Sequence, residues 1–182
     1  LLANTTGANN VAVGKDALSA NTTAEGNVAV GKGSLSTNIL GSKSVAIGME
    51  ALATQNPASA VAMYNVAVGH DAGYAITTGI RNTLLGGNNG DALTVGTENV
   101  AVGFNALSQD TKGSMSVAVG TGALNAQNPA TATNMYNTAV GQDAGNDITT
   151  GIQNTLIGGL AGTVITTAAY STAVGYNALG LT

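Results

Sequence analysis

Cysteine and tryptophan are absent from these 182 residues, histidine and phenylalanine occur once each, and proline occurs twice. Without Cys there is no disulfide framework and no thiolate metal site. The single His, His70, cannot build a multi-histidine metal centre. Charged residues make up 8% of the chain, against about 25% in an ordinary globular protein. The five basic side chains, Lys15, Lys32, Lys43, Arg81 and Lys112, are scattered, and the formal net charge is −4. A nucleic-acid partner, which needs clustered Lys and Arg against phosphate, is therefore not expected. No apolar run reaches the ~18 residues of a membrane-spanning helix. Aromatics amount to 3%, too few for a thick core built around large side chains.

What is abundant is small and branched: Ala, Val, Gly, Asn and Thr, with 44% of residues apolar. They fall into a repeat. The motif Asn/Ser–Val/Thr–Ala–Val/Ile–Gly occurs as Asn10–Gly14, Asn27–Gly31, Ser44–Gly48, Asn65–Gly69, Asn99–Gly103, Ser116–Gly120, Asn137–Gly141 and Ser171–Gly175. Asn82–Gly86 and Asn154–Gly158 are variants with Leu84 and Leu156 in place of Ala. Successive motif glycines are 17 residues apart, except for steps of 21 from Gly48 to Gly69 and from Gly120 to Gly141. Four steps make a superrepeat of 72 residues, and residues 48–107 match 120–179 at 35 of 60 positions. Residues 1–182 thus read as a single repetitive segment. It starts at Leu1, in what looks like the tail of a preceding unit, and we expect it to be an excerpt of a longer chain.

Within the motif, Val11 and Val13 point one way and Ala12 the other, the period of a strand. Glycine then lets the chain turn, and a second apolar piece such as Ala17-Leu18 reads as an opposing strand. Strands this short do not survive alone. Stacked on their neighbours they predict an all-β, parallel β-solenoid of about ten rungs, rising about 4.8 Å per rung. The four extra residues of each long rung fall around Pro57 and Pro129. The Asn/Ser column opening each motif suits a hydrogen-bonded ladder that pins register. The Ala column, apolar yet small, suggests close approach of another copy, with Leu84 and Leu156 as plugs at that interface. The alternative is a solvent face kept unobstructed.

The motif units, together with Asp16-Ala17-Leu18 and Asn177-Ala178-Leu179, resemble the head repeats of YadA-like trimeric autotransporter adhesins. They are also similar to repeats in phage tail fibres and bacterial surface proteins. The resemblance implies a left-handed parallel β-roll, a homotrimer, and an extracellular, cell-surface or virion fibre acting in attachment. It further implies branched residues filling the roll and small ones approaching the threefold axis. The rungs here are longer than the usual adhesin-head repeat.

No chemistry stands out beside this. Gly86-Gly87-Asn88-Asn89-Gly90-Asp91 departs from the calcium nonapeptide spacing, and its counterpart from Gly158 to Thr163 lacks a carboxylate. Asp71 and Asp143 lie one superrepeat apart, about 19 Å along a coil, too far for a glycosidase pair at about 5–9.5 Å. Thr77-Thr78 and Thr149-Thr150 are too sparse for an ice-binding array. The sequence implies no enzyme, no metal and no cofactor. Residues that break the repeat, His70, Tyr74, Arg81 and Phe104, are the candidates for loops facing a receptor, a cell-surface glycan or protein. Competing readings are a purely structural filament or surface-layer component, and a polysaccharide-processing solenoid.

Overall fold

The computed structural model describes residues 1–180. They form a parallel β-solenoid of ten turns, with no helix among them. Each motif supplies one three-residue strand, from Val11–Val13 to Thr172–Val174, and the ten strands stack in chain order as a single parallel sheet. Ala12 pairs with Ala29, and Leu84 with Ala101. Across the first long rung Ala46 still pairs with Ala67. Register survives there because the extra residues leave the main sheet. Gly41–Ser42 pairs with Val61–Ala62, and Gly113–Ser114 with Thr133–Asn134, as two small parallel pairs beside it.

Left-handed residues close each rung. The motif glycines lie at φ from 123° to 142°, a region that a side chain rarely tolerates. A Cβ on Gly48 would also strike the carbonyl oxygen of Gly69 in the next rung. Further corners fall at Asp16 (φ 61°), Leu18 (φ 48°) and Gly26 (φ 67°), and recur in later rungs. The Ala17-Leu18 piece is therefore a turn and not the opposing strand that its apolar pattern suggests. A left-handed Leu is strained by roughly 1–2 kcal/mol. Leu18, Leu35, Leu52, Leu107 and Leu124 hold that conformation with side chains fully buried, and each such burial contributes about 1.5–3 kcal/mol.

The direction of the strand faces is the main correction to the sequence reading. Ala29, Ala46, Ala67, Ala101, Ala118 and Ala139 are fully buried inside the single coil, and so are Leu84 and Leu156. The flanking branched residues face outward, with Val13, Ile47, Leu85 and Val174 exposed. The Ala column is thus not an associating surface, and Leu84 and Leu156 are not plugs between copies. The physical reason is the width of the coil. One small side chain on the strand wall and one Leu on the turn wall already fill the interior, and a Val would overpack it.

The same volume rule explains the Leu variants. Where the strand carries Leu84, the turn wall carries Gly73 and Gly90 at the positions that hold Leu elsewhere. A Cβ on either would press on the Leu84 methyls, and Gly145 and Gly162 stand in the same relation to Leu156. A third interior column also alternates. Asn21, Asn38 and Gln55 give way to Ile76 and Leu93, then Asp110 and Gln127, then Ile148 and Ile165.

The expected ladder is present and buried. Asn65 Oδ1 accepts the backbone N–H of Asn82 at 2.9 Å, and Asn65 Nδ2 donates to the Gly79 carbonyl at 2.8 Å. Asn82 and Asn99 repeat the arrangement onto Asn99 and Ser116. Ser44 and Ser116 are too short to continue it. At those rungs a buried glutamine bridges the gap. Gln55 Oε1 accepts from Ser44 Oγ at 3.1 Å and from Asn65 Nδ2 at 2.9 Å, and Gln127 does the same between Ser116 and Asn137.

Two measurements test this interior. Leu84→Ala is expected to lose about 2–5 kcal/mol in denaturant unfolding. Adding Gly90→Leu, which recreates the Ala101–Leu107 pairing one rung on, should recover a substantial part of the loss. Asn82→Ala removes the partners of the buried Asn99 N–H and Gly96 carbonyl. It should cost about 1–3 kcal/mol for each group left unpaired, while Asn82→Gln, which misplaces the amide, should rescue little.

Candidate functional site

Three surface regions carry side chains that the interior does not consume. The first is the outer face of the sheet. The residues on either side of the buried Ala form two columns of Val, Ile, Leu and Thr along all ten strands. Val11, Val13, Ile47, Leu85, Val100, Val140, Ile157 and Val174 are exposed. The stripe is about 45 Å long by strand stacking and has no charged residue within the strands. Contiguous apolar surface of more than a few hundred Å² is uncommon on monomeric soluble proteins.

The second region is the pair of corners flanking the strands. His70 and Phe104 share one column, two rungs apart. His70 Nδ1 lies 3.2 Å from Asp71 Oδ2, and Phe104 spreads over Gly87, as Tyr176 does over Gly159 one superrepeat later. Arg81 is on the other corner, where its Nη1 meets Glu98 Oε1 at 2.8 Å, and the Lys43 ammonium sits 5.6 Å from the Tyr64 ring centre. Arg81 is thus occupied in an exposed cross-rung pair, worth little in stability. The four sequence candidates are not gathered into one place, and Tyr74 stands apart from the others.

The third region is a cleft of about 350 Å³ on the turn wall. Its floor is small: Gly33, Ser36 and Ala53. Asp16, Lys32, Glu50, Thr37 and Thr54 form the rim, and Tyr74 closes one end. The cleft exists because Gly33 takes the position that Asp16 and Glu50 fill in the rungs before and after. Sequence reading missed it. The signal was available, since aligning the 17-residue rungs puts Asp16, Gly33 and Glu50 in one column and Ser36, Ala53 and Tyr74 in another.

The remaining sequence candidates resolve as follows. Asn89 is buried, with Nδ2 donating to the Gly103 carbonyl at 2.8 Å. Among the described residues no group of three or more His, Cys, Asp or Glu is placed to hold a metal ion. Asp71 and Asp143 are four strand steps apart along the coil. Threonines are less sparse than expected: Thr5, Thr22, Thr77, Thr94, Thr111, Thr149 and Thr166 share one column. Most of their hydroxyls donate to the next rung's carbonyl, as Thr94 Oγ1 does to Thr111 at 2.8 Å, so they pin register and are not a free lattice. No helix among the described residues is long and apolar enough to cross a membrane. No family model, no curated protein and no solved structure matches the chain.

Asp110 is the one charged residue type fully buried among the described residues. Burial raises its carboxyl above the ordinary Asp value, against hydrogen bonds from Gln127 Nε2 and from the Gly113 and Lys112 amides, which lower it. The Lys112 ammonium offers no direct ion pair, since it donates to the Ala130 carbonyl at 3.0 Å. One superrepeat earlier the position is Asn38, whose amide donates to the Gly41 carbonyl at 2.7 Å. A raised folded-state value means that protonation favours the folded state. Asp110 therefore contributes most below the unfolded value near about 3.9, and that contribution is lost as pH rises through the folded value. Asp110→Asn should accordingly melt higher than the parent at pH 7, with the difference closing as pH falls below about 3. A variant that melts lower at pH 7 would refute this account of the site.

Proposed function

We propose that this chain is a non-enzymatic segment of an extracellular or virion-borne fibre that acts in attachment to a cell or surface. In this reading copies associate through the Val/Ile/Thr stripe, as a homotrimer of left-handed coils. The observation that carries it is the stripe itself: ten rungs of outward branched side chains on a coil whose interior is already full. A stripe about 45 Å long and 10 Å wide offers roughly 450 Å² per copy, less than the about 800 Å² per partner of a standard interface. Closed threefold packing sets each stripe against two neighbours and adds the flanking columns, so it supplies more burial than a pair does. The resemblance to trimeric adhesin heads supports the same stoichiometry, with the branched residues and not the Ala column toward the axis.

Attachment then belongs to the turn wall, which faces away from the stripe and presents its side chains at every rung. Light scattering on the purified segment should give a mass about three times the 17.7 kDa of one chain. Ile47→Lys combined with Leu85→Lys, both exposed on the single coil, should lower it to one chain while the solenoid still melts cooperatively. A parent protein that stays a single chain at micromolar concentration would overturn the assembly. Beads coated with the segment should adhere to cell surfaces above albumin-coated beads. A three-chain mass without adhesion would favour the purely structural filament, and release of reducing sugar ends would favour the polysaccharide-processing solenoid.

A further inference from the structure

The cleft at Gly33 has a composition found in no other rung among the described residues. Its long axis crosses the rungs from Asp16 to Tyr74, three strand steps or about 14 Å. Asp16 and Glu50 flank the gap from rungs two steps apart. Neither carboxylate has a side-chain partner, and neither does the Lys32 ammonium, since the two ion pairs among the described residues are His70–Asp71 and Arg81–Glu98. The rim hydroxyls are oriented. Thr37 Oγ1 donates to the Ala53 carbonyl at 2.8 Å and Thr54 Oγ1 to the Tyr74 carbonyl at 2.7 Å, so both are left with lone pairs as acceptors. Tyr74 is exposed and lines the cleft on the last rung that it reaches.

We propose that this cleft binds a neutral sugar unit of a glycan. The inference deepens the attachment reading by naming the ligand class and one place where it docks. Carboxylates and hydroxyl lone pairs accept from sugar hydroxyls, the ammonium donates to them, and the Tyr74 ring gives the apolar face of a pyranose something to pack on. A volume of about 350 Å³ falls at the small end of ligand sites, which suits one or two sugar units. Two carboxylates against one ammonium leave the rim negative, so acidic sugars and phosphate are disfavoured. The wall lies across the coil from the stripe, so assembly through the stripe leaves the cleft open. The counterpart one superrepeat on is different in kind. Asn88 and Asn105 replace Asp16 and Gly33, Gly122 replaces Glu50, and Asn146 replaces Tyr74. A Cβ on Gly122 would strike the Asp143 carboxylate, whereas one on Gly33 would meet only the flexible Cγ of Glu50, at 3.3 Å. Binding is thus expected once in this segment.

That natural difference supplies variants the coil tolerates. Gly33→Asn fills the floor at a left-handed position (φ 69°) where Asn105 has φ 57°, and Tyr74→Asn installs the residue found at 146. Saturation-transfer NMR on the purified parent protein would use cellotriose, maltotriose and tri-N-acetylchitotriose, with trigalacturonate as the acidic comparison. At least one neutral trisaccharide should show transfer and trigalacturonate none. Gly33→Asn and Tyr74→Asn should each weaken the bound neutral sugar at least tenfold at unchanged melting temperature. Tyr136→Asn, at an exposed aromatic far from the cleft, should leave it unchanged. Absence of transfer to all three neutral sugars, preference for trigalacturonate, or survival of binding in both cleft variants would overturn the proposal. Mass is read on the same samples. A three-chain assembly without sugar binding sinks this inference and leaves the fibre reading, whereas sugar binding by a single chain does the reverse.

Discussion

A buried amide that opens a rung must satisfy an N–H from the next rung and a carbonyl on the far side of its own. Asn65, Asn82 and Asn99 each do both. Sliding one rung by a single residue would leave all of these groups unpaired in the interior, at about 1–3 kcal/mol apiece. A sequence this repetitive has many registers that pair its three-residue strands equally well. Cost inside the coil, more than strand pairing, selects one. The rest follows from that fixed stacking: the interior columns, the recurring corners, and the placement of every outward side chain.

With register fixed, the interior becomes a problem of volume solved rung by rung. Ala opposite Leu and Leu84 opposite Gly73 and Gly90 are two solutions of similar size. The long rungs are a third case, where Ser44 and Ser116 shorten the ladder and Gln55 and Gln127 reach across. The strained left-handed leucines belong to the same balance, because only that backbone turns the side chain into the space the Ala leaves. Strain at the corners is offset by burial a bond or two away.

Filling the coil with small residues has an outward consequence. The branched residues that an ordinary sheet would bury are left on the surface, in a long uncharged stripe. The outer positions of the turn wall vary freely from rung to rung, because they touch neither ladder nor core. A glycine there leaves a cleft at Gly33, where Glu50 passes at its Cγ, while at Gly122 the Asp143 carboxylate fills the space. The stripe and the wall thus put the apolar surface and the polar turn residues on opposite sides of one chain.

The spacing of the motif glycines was enough to determine the rung count, the parallel stacking and the polar ladder. Each depends on a residue recurring at a fixed step, which a sequence displays directly. Which strand face turns inward was not legible. Alternation of Val and Ala states only that the faces differ, and the choice rests on the distance between the walls, which the left-handed Leu18-type corners set. For that reason the Ala column, Leu84 and Leu156 moved from an expected interface to the core. The scattered candidates His70, Tyr74, Arg81 and Phe104 were found by departure from the repeat, and departure does not say what lies beside a residue. Only the tertiary structure put Tyr74 at the end of a gap made by Gly33, because rungs bring together residues 16, 33, 50 and 74 that sequence distance keeps apart.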